Sequence, residues 1–244
     1  MKKQIGILLL ACALAAGGIV TAGAAEAPTT VRGDVIEYNT KTGVTTATGS
    51  VLITQQDGQA RAGAAEYNTK TGTGRLTGGV TATKGATSIN CDTLVLNNAN
   101  HLTAIGGASL TTEGRNLRSE RVEYYKDREF LETDGSWAQL SMEDGSKLTA
   151  GYIGYDVRRG FANAERNVRI VSEERGLTAT ADKATYSTQQ DGVIELVGNA
   201  TATQDGNTLT GNRLRIVSGN KTAEASGSVK MVYTPKPKPA EAKA

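Results

Sequence analysis

The heptapeptide EYNTKTG at 37–43 returns unchanged at 66–72, 29 residues further on. It has one carboxylate, one amine and two threonines, with no histidine or cysteine, so nothing in it reads as a nucleophile beside a base. A phrase repeated at a fixed distance points first to repeated structure. Carried down the chain, its tyrosine position recurs as Tyr38, Tyr67, Leu96, Tyr124, Tyr155, Tyr186 and Ile216, at spacings of 29, 29, 28, 31, 31 and 30 residues. Seven units of this length describe a stacked array in which each unit covers its neighbours.

Three further columns share the register. Two residues before the tyrosine position stand Ile36, Ala65, Leu94, Val122, Ile153, Ala184 and Leu214, and seven before it Val31, Ala60, Ile89, Leu117, Leu148, Ala179 and Leu209, all apolar. Five before it every residue is small: Gly33, Ala62, Cys91, Ser119, Ala150, Ala181 and Gly211. In a strand, residues two apart share a face. The step from the small column to the next apolar one is three, so a straight strand would send the two pairs to opposite faces. If all four columns face inward, the chain bends between them. The residues at that point, Asp34, Gly63, Asp92, Glu120, Gly151, Asp182 and Asn212, suit a bulge or corner.

After the tyrosine position comes a polar turn, then a second strand with a recurrent glycine: ATGSV (47–51), LTGGV (76–80), AIGGA (104–108), LVGNA (196–200) and ASGSV (225–229). Glycine within a strand marks a bulge or a close backbone approach. Tips such as QQDG (55–58), TTEG (111–114), MEDG (142–145) and TQDG (203–206) close each unit. Seven units of strand, turn, strand, turn predict an all-β fold of about fourteen strands. Short turns favour antiparallel neighbours and an open, two-sheet jellyroll; a parallel β-solenoid has a similar period and stands as the alternative.

The first residues read differently. Lys2 and Lys3 precede an apolar run from Ile5 to Val20, and small residues follow. That is the layout of a secretory signal (1–25), cleaved near Ala24 or Ala25. Retention as a membrane anchor is the alternative, and a lipoprotein signal ending at Cys12 fits poorly. The expected product is an exported domain at 26–233 with a Pro/Lys-rich, disordered tail at 234–244. The chain holds 27 Lys and Arg against 25 Asp and Glu. Without Lys2 and Lys3 the signs balance, which gives no electrostatic case for nucleic acid.

Features that resemble sites are absorbed by the repeat. Cys91 lies in the small column and reads as a buried thiol. Arg32-Gly33-Asp34 spells an adhesion tripeptide, but Gly33 and Asp34 are small-column and corner residues. His101, the one histidine, is expected in a turn and has no second histidine or cysteine at ligand spacing. The acidic corner residues recur once per unit and read as structural. No phosphate loop or nucleophile elbow is present. The expectation is a protein that is not an enzyme and needs no cofactor or metal.

The repeated pattern, apolar-x-small-Asp-x-apolar-x-Tyr, polar turn, Ala/Leu-x-Gly-x-Val, resembles the OstA-like (LptA) family of periplasmic lipopolysaccharide transport bridge proteins. The resemblance spans roughly 30–233. It departs in the fourth and fifth units, where Trp137 stands in place of a small valine-type residue and Arg166 in place of glycine, so local distortion or a wider opening is expected there. The resemblance implies an open β-jellyroll, V-shaped in section, whose apolar groove binds the acyl chains of lipid A. It also implies partners among the inner- and outer-membrane transport components and head-to-tail assembly into a bridge between the membranes. The inward columns place the groove on Ile36, Tyr38, Val51 and Ile53 in the first unit, on Leu94, Leu96, Val122 and Tyr124 in the third and fourth, and on Ile153, Tyr155, Leu214 and Ile216 beyond. Aliphatic walls suit acyl chains, since each methylene left in water costs about 0.8 kcal/mol. The first and last strands would present unpaired edges for end-to-end pairing. Two other readings remain: a membrane-anchored component of the same pathway, and a surface β-repeat protein that binds no lipid.

Overall fold

The computed structural model describes residues 29–234 apart from 57, 113, 135–136, 188–191 and 218–221. The expected export signal, and all of the expected tail but Thr234, lie outside the described residues.

Eighteen strands follow one another. The first units give β1 (Thr30–Arg32), β2 (Val35–Asn39), β3 (Val44–Gln55), β4 (Gly58–Asn68), β5 (Thr73–Lys84), β6 (Thr87–Asn98), β7 (His101–Thr112) and β8 (Arg115–Tyr125). The middle is more broken: β9 (Phe130–Thr133), β10 (Ala138–Ser141), β11 (Lys147–Ala150) and β12 (Tyr152–Asp156). Long strands then resume as β13 (Phe161–Ser172), β14 (Leu177–Ser187), β15 (Val193–Gln204) and β16 (Asn207–Val217), and β17 (Thr222–Ser226) and β18 (Lys230–Val232) end the array. The short strands combine as rungs. β1 and β2 both pair with β3, β9 and β10 both pair with β8, β11 and β12 both pair with β13, and β17 and β18 both pair with β16. Fourteen rungs result, each bonded to the next and all antiparallel, which removes the parallel solenoid.

The bend expected from the odd step is present. In β4 the buried positions are 58, 60, 62, 65 and 67, alternation that slips by one residue after Ala62. At the same level the register with β3 jumps from Thr48↔Ala64 to Val51↔Ala62, leaving two residues of β3 opposite one of β4. Those two, Gly49 and Ser50, have positive φ, and so do Gly78 and Gly79, Gly106 and Gly107, Arg166 and Asn167, Gly198 and Asn199, and Gly227 and Ser228. A two-residue left-handed insert therefore recurs in six of the rungs, each time opposite a single corner residue of the preceding rung, and turns the outer half of the pair over. Both halves then present their aliphatic side chains to one interior.

The glycine of each insert faces the corner residue of the preceding rung. A Cβ on Gly106 would lie 2.6 Å from the Cβ of Asp92, and one on Gly227 would lie 2.8 Å from Asn212 Nδ2. Arg166 breaks the glycine rule at φ +68 because the corner residue opposite it is Gly151. Its guanidinium then bonds back to the Gly151 carbonyl at 2.8 Å. The fifth unit thus exchanges the usual sizes of the two partners.

Trp137 does not occupy the inward position expected of it. Ala138, buried completely, pairs with Ser119 as Val80 pairs with Cys91 and Val51 with Ala62. One extra residue in the break between β9 and β10 pushes Trp137 outward, where it is 48% exposed, and Ser119 Oγ donates to its carbonyl at 3.0 Å. His101 likewise opens β7 rather than sitting in a turn.

The core is one cluster running the length of the array. Ile153, Leu196 and Leu214 are fully enclosed, each contributing about 1.5–3 kcal/mol of burial. Alanines fill much of the rest, so the two layers approach closely.

Candidate functional site

The proposed groove residues separate by their place in the array. Val51, Ile53, Leu94, Leu96, Val122, Tyr124, Ile153, Tyr155 and Leu214 are buried in the common core, and Ile216 packs against it half-buried. Ile36 and Tyr38 do not join them: they are 47% and 59% exposed. The cause is position, since among the described residues β2 is an edge strand flanked only by β3. The same column one unit later, Tyr67, has a rung on each side and is 4% exposed.

The two sets of rung ends face each other along one side, where Arg115 and Tyr155 bond across. A cavity of about 10 Å³ lies among Ile89, Leu94, Leu102, Leu110, Val122 and Tyr124. Another of about 40 Å³ lies among Met142, Leu148, Ile170, Leu177, Tyr186 and Ile194. Both are far below the roughly 300–1,000 Å³ of a site that encloses a small molecule. Towards the C-terminal end the layers part. A cavity of about 700 Å³ is lined there by polar and apolar residues alike, Glu173, Glu174, Arg175 and Asp205 together with Leu177, Ile216, Val217 and Ala223. Leu177 and Arg175 border both this cavity and the smaller one beside it.

Charges gather at the rung ends and line the wide cavity. Arg175 pairs with Asp144 at 3.2 Å and Arg158 with Glu129 at 3.3 Å. Arg115 Nη1 donates to the Tyr155 hydroxyl at 2.7 Å. Burial, helped by the nearby charges of Glu129 and Asp127, pushes the Tyr124 phenol up to about 12. Burial likewise raises the Cys91 thiol to about 11. Both therefore stay neutral, as an apolar interior requires.

A second polar cluster was not apparent from the repeat. On the outward face of β7 and β8, Glu123 is 7% exposed. It accepts from Thr103 Oγ1 at 2.6 Å and from Arg121 Nε at 2.7 Å, with His101 Nε2 at 2.6 Å. Burial alone would raise this carboxyl, but the bonds from Thr103, Arg121 and His101 hold it below its ordinary value. His101 stacks on Tyr125 at 4.5 Å, and Arg128 caps that ring at 4.1 Å. The available signal was register: Thr103 pairs with Glu123 and Ile105 with Arg121, which places the four polar groups on one face. The cluster ties two rungs together and lies on the opposite side of the sheet from the apolar interior.

Comparison with known proteins adds an independent line. Residues 59–224 match the family described as LptA/(LptD N-terminal domain) LPS transport protein. Among solved structures, the chain aligns with LptH, described as the LptA homologous periplasmic component of the conserved lipopolysaccharide transport device from Pseudomonas aeruginosa. That alignment has 15% identity, covers 86% of this chain and 96% of LptH, and has a TM-score of 0.23. No curated protein matches the chain.

Proposed function

The chain belongs to the LptA/(LptD N-terminal domain) LPS transport protein family, and from that premise we propose that it is a periplasmic carrier that holds the acyl chains of lipid A between its two layers. The observation that carries this reading is the cavity of about 700 Å³ at the C-terminal end, walled in part by Leu177, Ile216, Val217 and Ala223, which shares Leu177 with the smaller apolar cavity beside it. Its size suits part of a lipid. The smaller central cavities mean that a chain passing along the array must part the layers as it goes. Alanine-rich walls favour this, because separating them uncovers less apolar area per rung than large side chains would.

Copies stacked head to tail would bridge the inner and outer membranes and meet the transport components at each. The end rungs suit such stacking. Val35, Ile36 and Tyr38 are exposed at one end and Val229, Met231, Val232 and Tyr233 at the other, at rungs bonded on one side only among the described residues. A strand of one copy added to the edge of the next would satisfy both the backbone and these side chains.

Photo-crosslinking tests the carrier directly. A photoreactive residue at Ile216 or Leu177 should capture lipopolysaccharide during transport, and one at outward-facing Lys183 should not. Equal capture at all three, or at none, removes the groove. Mass spectrometry of the purified protein should also find glycolipid.

A further inference from the structure

One polar contact crosses the open side of the array. Arg115 begins β8, in the half-rung that pairs with β10. Tyr155 lies near the end of β12, in the half-rung that pairs with β9. The two belong to different layers, and the 2.7 Å bond from Arg115 Nη1 to the Tyr155 hydroxyl joins the layers at their free ends. In strand order it falls between the two central cavities, with Leu102 and Val122 on one side and Ile170 and Ile194 on the other.

We propose that Arg115 and Tyr155 form a clasp that the phosphorylated headgroup of a bound glycolipid opens, with Arg115 becoming the headgroup's anion contact. This rests on the reading of the chain as a lipid carrier. A guanidinium presents a planar fork of donors that matches two phosphate oxygens, whereas its bond to Tyr155 engages a neutral hydroxyl. Exchange of the hydroxyl for a phosphate is therefore favourable. It is also forced by geometry: acyl chains that part the layers at this level separate Arg115 from Tyr155. The headgroup, which stays in water, then sits at the rim beside the released guanidinium. Rim arginines on either side are already committed to carboxylates, Arg158 to Glu129 and Arg175 to Asp144.

The test uses the full exported chain with three probes: lipid A carrying its phosphates, the same lipid dephosphorylated, and inorganic phosphate. The wild type should prefer the phosphorylated lipid. Arg115→Gln should reduce that preference by about tenfold, the value of one charge-assisted hydrogen bond, and Arg115→Lys should keep most of it. Tyr155→Phe, which keeps the ring and removes the competing hydroxyl, should bind the phosphorylated lipid more tightly than wild type. The clasp is overturned if Arg115→Gln keeps the full preference, or if Tyr155→Phe weakens phosphorylated lipid as Arg115→Gln does. Displacement of the phosphorylated lipid by equimolar inorganic phosphate would assign the site to free phosphate and overturn the headgroup as its source. A wild type that binds neither lipid refutes the carrier reading, and the clasp with it; one that binds both with no effect of Arg115→Gln refutes the clasp alone.

Discussion

Replacing Gly106 by alanine tests the left-handed insert that recurs along the array. Gly106 has φ +82, where an L side chain costs about 1–2 kcal/mol. Its new Cβ would also lie 2.6 Å from the Cβ of Asp92, an overlap that side-chain rotation cannot relieve. The backbones must move, at about 1–3 kcal/mol. The expected loss is about 2–5 kcal/mol, and its middle value lowers the melting temperature by about 7–14 °C in a domain of this size. The two contributions are separable. Asp92→Gly removes the obstructing Cβ, so Gly106→Ala on that background should cost only the backbone part, about 1–2 kcal/mol. A double-mutant cycle by urea denaturation should then show a coupling of about 1–3 kcal/mol. The chain already contains this arrangement in Gly151 and Arg166. Equal cost of Gly106→Ala on both backgrounds would refute the steric argument. A cost below about 0.5 kcal/mol on the wild-type background, the level of an ordinary surface change, would refute the bend as a source of constraint.

Other outcomes follow from particular contacts. Leu196→Ala empties a fully enclosed position and should cost about 2–5 kcal/mol in chemical denaturation; a loss under 1 kcal/mol would mean the layers close over the gap. Because Glu123 is held below its ordinary carboxyl value in the fold, its stabilisation is complete above that ordinary value and is lost as pH falls through the lowered one. Denaturation midpoints of the wild type should therefore fall more steeply on acidification below about pH 4.5 than those of Glu123→Gln, and parallel profiles would contradict this. Cys91, with its thiol raised to about 11 by burial, should resist a thiol reagent at pH 8 until the chain is unfolded. Ile36→Asp and Met231→Asp, both at exposed end-rung positions, should shift sedimentation toward single copies while changing the melting temperature little; unchanged assembly of both would remove the end rungs as the contact.

The four columns were legible because strand periodicity is strict: an apolar step of three amid steps of two has few structural solutions, and a bulge is one of them. Glycine in the second strand and aspartate at the corner of the first were each readable, but their contact with one another was not, since it depends on which rung lies beside which. Trp137 was misplaced because alignment by period assumes equal lengths, and one residue inserted between β9 and β10 moves the inward position to Ala138. Ile36 and Tyr38 satisfied the pattern and yet are exposed, because burial of a column requires a neighbour on both sides. The sequence could not reveal how far the layers close along their free ends. That depends on cross-layer contacts such as Arg115 with Tyr155, between residues separated by 40 positions.

Nearest-neighbour pairing also bears on how such a chain acquires its shape. Every rung finds its partner within about thirty residues, so little loop entropy is spent before a contact forms. A polypeptide threaded through a membrane with its N-terminal end first could add rungs in the order they emerge, each laid on the edge left by the last. Growth and assembly would then be one operation. Under the head-to-tail stacking proposed above, the kind of edge that receives the next rung during folding would be the kind that a neighbouring copy pairs with.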